Sequence, residues 1–216
     1  MKILPTLALS LLILSSSIAY ADYVIEDFQQ YTVGEFPDAW RTWPFRRGKA
    51  KDVYKVKMEN SNKFLSADDS SDISVQTLKN FYWKLDNYSK FSWKWRARKL
   101  PKGANETDRA TNDSACGVYI IISKGRGKML KYTWSTLAPV GTVYEKKPGK
   151  AFIIAKDSGG EHLGEWRTHT VNVRDDYEKY TGRQLDRNPV AIAVLTDGNA
   201  VHKPSACDYD DFIIKK

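Results

Sequence analysis

Two alternating stretches carry most of the residues with chemical potential. In Phe91-Ser92-Trp93-Lys94-Trp95-Arg96-Ala97-Arg98 the aromatic residues and Ala97 fall on one face of a strand, and Ser92, Lys94, Arg96 and Arg98 fall on the other. Met129 to Thr136 divides the same way, with Leu130, Tyr132 and Trp134 against Lys131, Thr133 and Ser135. If both strands lie in one sheet, its outer face presents Lys94, Arg96, Arg98 and Lys131 together. Such a face could dock carboxylate or sulfate groups through charge-assisted hydrogen bonds. The bland alternative is that these cations are merely solvated sheet positions.

Carboxylates gather at the two ends of the chain: Glu26 and Asp27 near the start, Asp208, Asp210 and Asp211 near the finish. Terminal strands that paired would bring these acids and backbone carbonyls together, the oxygen-rich setting calcium prefers. A structural calcium there is one expectation; an acidic edge bonded to backbone amides and nearby Lys and Arg is the other. Asp113 and Asp197 are further carboxylates available to a ligand. Catalytic patterns are thin. His162, His169 and His202 fall in no metal-binding spacing, and no G-x-S-x-G elbow is present. His169, inside the expected strand Trp166–Val173, reads as a structural imidazole.

Short segments rich in β-branched and aromatic residues recur along the chain, divided by turn residues. That pattern predicts an all-β fold, an antiparallel two-sheet β-sandwich of jelly-roll, lectin-like type. The expected strands are Tyr23–Phe28, Val53–Glu59, Lys63–Ala67, Ile73–Leu78, Phe91–Arg98, Cys116–Ser123, Met129–Thr136, Ala151–Lys156, Trp166–Val173, Val190–Leu195 and Tyr209–Ile214. The glycines of Ser123 to Lys128 suit a tight hairpin better than a phosphate loop, since neither the spacing nor a following helix fits. One short helix is predicted from Asp175, with Glu178 as capping-box partner, to Gly182. Leu100 to Ser114 reads as an exposed polar loop without an apolar anchor.

Lys2, the apolar run Ile3 to Leu14 and the A-x-A site Ala19-Tyr20-Ala21 predict a signal peptide over residues 1–21. A single domain over residues 22–216 would follow, exported to the periplasm or beyond. No other segment reaches the roughly 18 apolar residues of a membrane-spanning helix. In that setting Cys116 and Cys207 are expected to form a disulfide, closing a long loop worth about 4.5 kcal/mol on the chain-entropy model. The formal charge of +8 favours acidic partners, anionic glycans among them, although such a surface also serves solubility. Nothing nominates nucleic acid as a partner, and no cofactor is indicated beyond the calcium.

The chain resembles the exported bacterial family known as domain of unknown function 3047. The resemblance rests on Asp27-Phe28-Gln29-Gln30-Tyr31-Thr32-Val33-Gly34-Glu35-Phe36-Pro37, Phe91-Ser92-Trp93-Lys94-Trp95-Arg96 with Leu100-Pro101, Asn112-Asp113-Ser114-Ala115, Gly117-Val118-Tyr119, Tyr132-Thr133-Trp134-Ser135, Gly164-Glu165-Trp166 and Asp208-Tyr209-Asp210-Asp211-Phe212. It implies a periplasmic or secreted β-sandwich and transfers no catalytic residue. It also implies that Cys116 and Cys207 stand where the family usually has small residues.

The leading expectation is a non-catalytic module that binds an envelope or extracellular glycan, an acidic one, on an outer sheet face. Arg96 and Lys131 would meet anionic groups, and Asp113, Trp134 and Asp197 would shape the rim, with Trp134 turned outward. Two alternatives stand beside it: a glycan-cleaving hydrolase or lyase with Asp113 and Asp210 as acid and base, and a structural envelope protein that recognises another protein.

Overall fold

The alternation in Phe91 to Arg98 is realised in full. In the strand Lys90–Lys99 (β5), Phe91, Trp93, Trp95 and Ala97 have no solvent exposure, whereas Lys94, Arg96 and Arg98 are half-buried on the opposite face. The computed structural model describes residues 21–122 and 128–216. Residues 1–20 of the expected leader, and Ser123 to Gly127 of the expected glycine turn, lie outside the described residues.

Twelve strands are described, in two six-stranded sheets. The first sheet combines Tyr23–Glu26 (β1), Tyr54–Glu59 (β2), Asn62–Asp69 (β3), β5, Arg167–Asn172 (β10) and Ser205–Lys215 (β12), in the order β10-β5-β12-β3-β2 with β1 also paired to β12. The second has Thr77–Asn80 (β4), Ser114–Ile121 (β6), Met129–Ser135 (β7), Val143–Lys147 (β8), Ala151–Ser158 (β9) and Ala191–Asp197 (β11), ordered β4-β11-β6-β7-β9-β8. Every pairing is antiparallel except β7 with β9. Ten of these strands overlap the expected ones along most of their length; the strand expected at Ile73–Leu78 is displaced, since only Thr77 and Leu78 of it fall in β4, and β8 lies outside every expected strand. Val143-Tyr144-Glu145-Lys146-Lys147 buries none of its residues, so it carries no apolar alternation, as suits a charged edge strand.

Between the sheets lies an aromatic core. Trp93 and Tyr132 rings approach to 5.1 Å and Trp95 and Trp134 to 6.3 Å. Trp134 is 1% exposed and donates its indole N–H to the Gly159 carbonyl at 3.0 Å, so it belongs to the core and not to a rim. The inward alternation of β7 requires this, and an outward turn of one residue would have broken it. Cys116 of β6 and Cys207 of β12 are joined by a disulfide, so the bridge ties one sheet to the other across the core.

The helix Val173–Thr181 is present, but it starts earlier than expected. Asn172 caps it, accepting from the amides of Arg174 and Asp175 at 3.1 and 3.3 Å. Glu178 instead accepts from the Leu185 amide, and Gly182 ends the helix with φ of 65°. A second, seven-residue helix, Arg47–Val53, follows a turn of 3₁₀ helix at Pro44–Arg46.

Terminal strands do pair, with Tyr23 opposite Ile214 and Glu26 opposite Phe212, yet their acids take separate partners. Glu26 accepts from the Phe28 amide, Tyr31, Trp40 and Lys79 at 2.7 to 3.0 Å. Asp27 bonds the Gln29 amide, Asp208 holds Arg96 and Arg98, Asp210 accepts from Asn62, and Asp211 pairs Lys94. Among the described residues no group of three or more His, Cys, Asp or Glu is placed to hold a metal ion. These five residues are each bonded to backbone amides, polar side chains or nearby Lys and Arg.

Burial, with Asp211 close by, pushes the Asp210 carboxyl up to about 6. In the unfolded chain an Asp titrates near 3.9. Between those values the folded state keeps a proton that the unfolded state has released. The stability from this group is present in full below about pH 4 and is lost as pH rises through 6. Asp210→Asn is expected to flatten that part of the profile, so thermal melts at pH 4.5 and 7 should differ by less than in the unsubstituted chain. An unchanged difference would contradict the assignment.

Candidate functional site

The two basic stretches lie on opposite sides of the molecule, because β5 is in the first sheet and β7 in the second. The face that would have joined Arg96 to Lys131 therefore does not exist. Arg96 is neutralised where it stands: its guanidinium contacts Asp208 at 2.8 Å and Glu59 at 2.8 Å, and it lies over the Phe64 and Trp166 rings. Arg98 is likewise held by Asp208 and the Ala67 carbonyl, and Lys94 by Asp211. These cations hold the sheet's outer surface together and leave little charge for a ligand.

Lys131 has a different setting. It is 4% exposed, on the outer face of β7, and sits across from Tyr119 in the β6–β7 register. Its ammonium donates to Ser114 Oγ at 2.9 Å and lies 5.4 Å from the centre of the Tyr119 ring. Space for its stem comes from Gly117: a Cβ there would fall 2.8 Å from Lys131 Cε and 2.9 Å from the Leu195 carbonyl oxygen. Burial by itself pulls the Lys131 pKa down, but Tyr119, Asp197 and Glu106 outweigh it and raise its pKa.

Asp197, at the end of β11, accepts from the Ser114 amide at 3.2 Å and from Ser74 Oγ at 3.4 Å. Burial pushes its carboxyl up to about 6 against the pull of Lys131, with Asp113 adding to the rise. Asp113 is wholly buried, its Oδ2 accepting from the Val201 amide at 2.9 Å while Oδ1 has no partner among the described residues; burial raises its pKa. Lys131, Asp113 and Asp197 are thus brought together, and Arg96 and Trp134 are not.

The stretch Leu100 to Ser114, expected as an exposed loop, is partly inside. Ala104 and Glu106 are buried, and Glu106 accepts from Ser135 Oγ. It closes one end of the face. A hidden carboxylate among Asn, Thr and Asp looks like any polar loop in sequence, and its partner Ser135 lies 29 positions away.

On this outer face of the second sheet lies a recess of about 600 Å³, lined by Ser74, Arg109, Asn112, Tyr144, Lys146, Lys147, Leu195, Asp197, Asn199 and Ala200. That volume is within the range of ligand clefts. A smaller recess of about 170 Å³ shares Lys146 and Lys147 and adds Tyr119, Lys131 and Ile153. Lys146 donates to Asn112 Oδ1 at 2.9 Å; desolvation and the charge of Lys131 lower its pKa. Among the described residues Arg109, Lys146 and Lys147 form no ion pair with a carboxylate. Sequence reasoning missed Tyr119, Arg109, Tyr144 and both lysines. Tyr119 alone had a visible signal, since Cys116, Val118 and Ile120 point inward and leave Gly117 and Tyr119 outward.

A family model described as a protein of unknown function, DUF3047, matches residues 38–213. The chain belongs to DUF3047. This DUF3047 member is also similar in structure to the family 11 carbohydrate-binding module of the cellulosomal cellulase Lic26A-Cel5E of Clostridium thermocellum, with a TM-score of 0.44 at 11% identity over 91% of this chain and 95% of the module. It is similar to the module TmCBM61, solved with β-1,4-galactotriose, at TM-score 0.46, 12% identity, and 91% and 100% coverage. Another similar structure is the xyloglucanase domain of NopAA, a type three effector from Sinorhizobium fredii, at TM-score 0.42, 11% identity, and 93% and 99% coverage. No curated protein matches the chain.

Proposed function

We propose that this DUF3047 member is an exported carbohydrate-binding module that takes an anionic polysaccharide on the outer face of its second sheet. The observation that carries this reading is the recess itself: Arg109, Lys146 and Lys147 line it without carboxylate partners among the described residues, beside the half-buried ring of Tyr144. Sugar carboxylates or sulfates would meet those cations, and the ring offers a stacking surface with a polar tip. Lys131, fixed beneath by Ser114 and Tyr119, keeps the buried acids from repelling an anion. An inter-sheet disulfide, and the lack among the described residues of a helix long and apolar enough to cross a membrane, are both compatible with export.

Lys146 and Lys147 are exposed on an edge strand, so their removal should leave folding intact. Lys146→Ala with Lys147→Ala is expected to weaken binding to an acidic oligosaccharide by roughly tenfold or more and to reduce its salt dependence, measured by calorimetry at two ionic strengths. Undiminished affinity would remove this site.

A second reading attaches to Asp197. A carboxyl titrating near 6 at the edge of a ligand recess has the proton affinity of a general acid. Asp113 lies beside the second sheet and Asp210 on the outer face of the first, so this reading rests on Asp197 and not on Asp113 paired with Asp210. A time course of reducing ends separates the two readings: a binding module leaves the polymer length unchanged.

A further inference from the structure

The segment Arg41 to Lys51 exposes what folded chains normally hide. Phe45 is 98% exposed and Trp43 is 75% exposed, with exposed Pro44 between them. Around this tip stand Arg41, Arg47, Lys49 and Lys51, all exposed and, among the described residues, without an ion pair to any carboxylate. Asp38 and Asp52 are also exposed nearby, and neither pairs with the four cations, which leaves the patch net positive.

The tip is also anchored. Thr42 Oγ1 donates to the Gln76 carbonyl at 2.8 Å, and the Arg41 and Leu78 backbones bond each other in both directions at 2.7 Å. Arg46 turns inward, its guanidinium donating to the carbonyls of Ile73 and Ser74 at 2.8 and 2.9 Å, and Ala50 and Val53 of the short helix are buried. The backbone is therefore held on both sides of two uncovered aromatic rings. A held loop loses little ordering entropy when those rings are buried in something else.

From this arrangement we infer that the segment Arg41 to Lys51 docks the protein on an anionic lipid surface, Trp43 and Phe45 entering the interfacial layer while Arg41, Arg47, Lys49 and Lys51 meet the phosphate headgroups. Trp and Phe beside Lys and Arg is the composition of interfacial membrane anchors, and net positive charge complements an anionic leaflet. A fully exposed Phe has no polar atom, so placing its ring at the acyl boundary breaks no hydrogen bond to water. Ser74, whose carbonyl accepts from Arg46, also lines the large recess, so the docked segment adjoins the proposed glycan site.

The test is co-sedimentation of residues 22–216, which contain every described strand and helix, with vesicles of phosphatidylglycerol and of phosphatidylcholine at low salt. The expected result is binding to phosphatidylglycerol alone, weakened tenfold or more in Trp43→Ser with Phe45→Ser and roughly fivefold for each cation removed in Lys49→Gln with Lys51→Gln. The recess variant Lys146→Ala with Lys147→Ala should bind vesicles as before, which separates this surface from the glycan reading. Absence of vesicle binding, equal binding by the aromatic variant when its melt shows it folded, or loss in that variant of affinity for an acidic polysaccharide alone would each overturn the proposal.

Discussion

The double variant Cys116→Ala with Cys207→Ala is expected to melt roughly 9 to 18 °C below the oxidised parent. The two cysteines are 91 positions apart, and cross-linking them removes chain entropy from the unfolded state worth about 4.5 kcal/mol. For a chain of this size each kcal/mol moves the melting temperature by about 2–4 °C. Geometry adds a reason for a large effect. The bridge joins β6 to β12, central strands of different sheets, where no backbone ladder can substitute. Parent protein in reductant should fall toward the variant's melting temperature. Equal melting of oxidised parent and variant would show that the bridge does not limit stability.

Lys131→Met should be the next most damaging substitution. It removes a buried cation beside Asp197, Asp113 and Glu106, each less than 7% exposed. Breaking a buried charge set by deleting one partner costs about 3–5 kcal/mol. The pH dependence distinguishes this from a simple packing defect. Lys131 pulls the Asp197 carboxyl down, so in its absence that carboxyl rises above its present value of about 6. Its stabilising protonated form then persists to higher pH, and the deficit at pH 7 should shrink toward pH 4.5. Lys131→Met with Asp197→Asn should recover part of the loss, because the uncompensated acid is gone. A deficit identical at both pH values, with no recovery in the double variant, would contradict the electrostatic role.

Local patterning carried the reading of the fold as far as local patterning can. Strict alternation in β5 and β7 defined which residues point inward, and hence the aromatic core. It could not say that β5 and β7 belong to different sheets, because strand order is set by pairings between distant segments. The joining of Arg96 to Lys131 failed for that reason alone. Trp134 is inward because the alternation of β7 places it with Leu130 and Tyr132, and an outward indole would break that alternation. Glu106 and β8 were hidden for opposite reasons. Glu106 is a buried charge whose partner is remote, and β8 is a strand with no buried side to mark it. Asn172 displaced Asp175 as helix cap because both are good caps three residues apart, and only the end of β10 decides between them. Among site residues, Asp113, Lys131 and Asp197 were found as charges near apolar strands, whereas Arg109, Lys146 and Lys147 became meaningful only once the second sheet placed them around one recess.

The central claim, that an anionic glycan occupies the outer face of the second sheet, is tested most directly by backbone amide NMR during titration with acidic oligosaccharides. Shift changes should concentrate on Arg109 to Ser114, Tyr119, Lys131, Tyr144 to Lys147 and Asp197 to Ala200, with β5 and β12 of the first sheet unmoved. Changes centred on Lys94, Arg96 and Arg98, or saturating acidic and neutral oligosaccharides that move no amide of the second sheet, would contradict it.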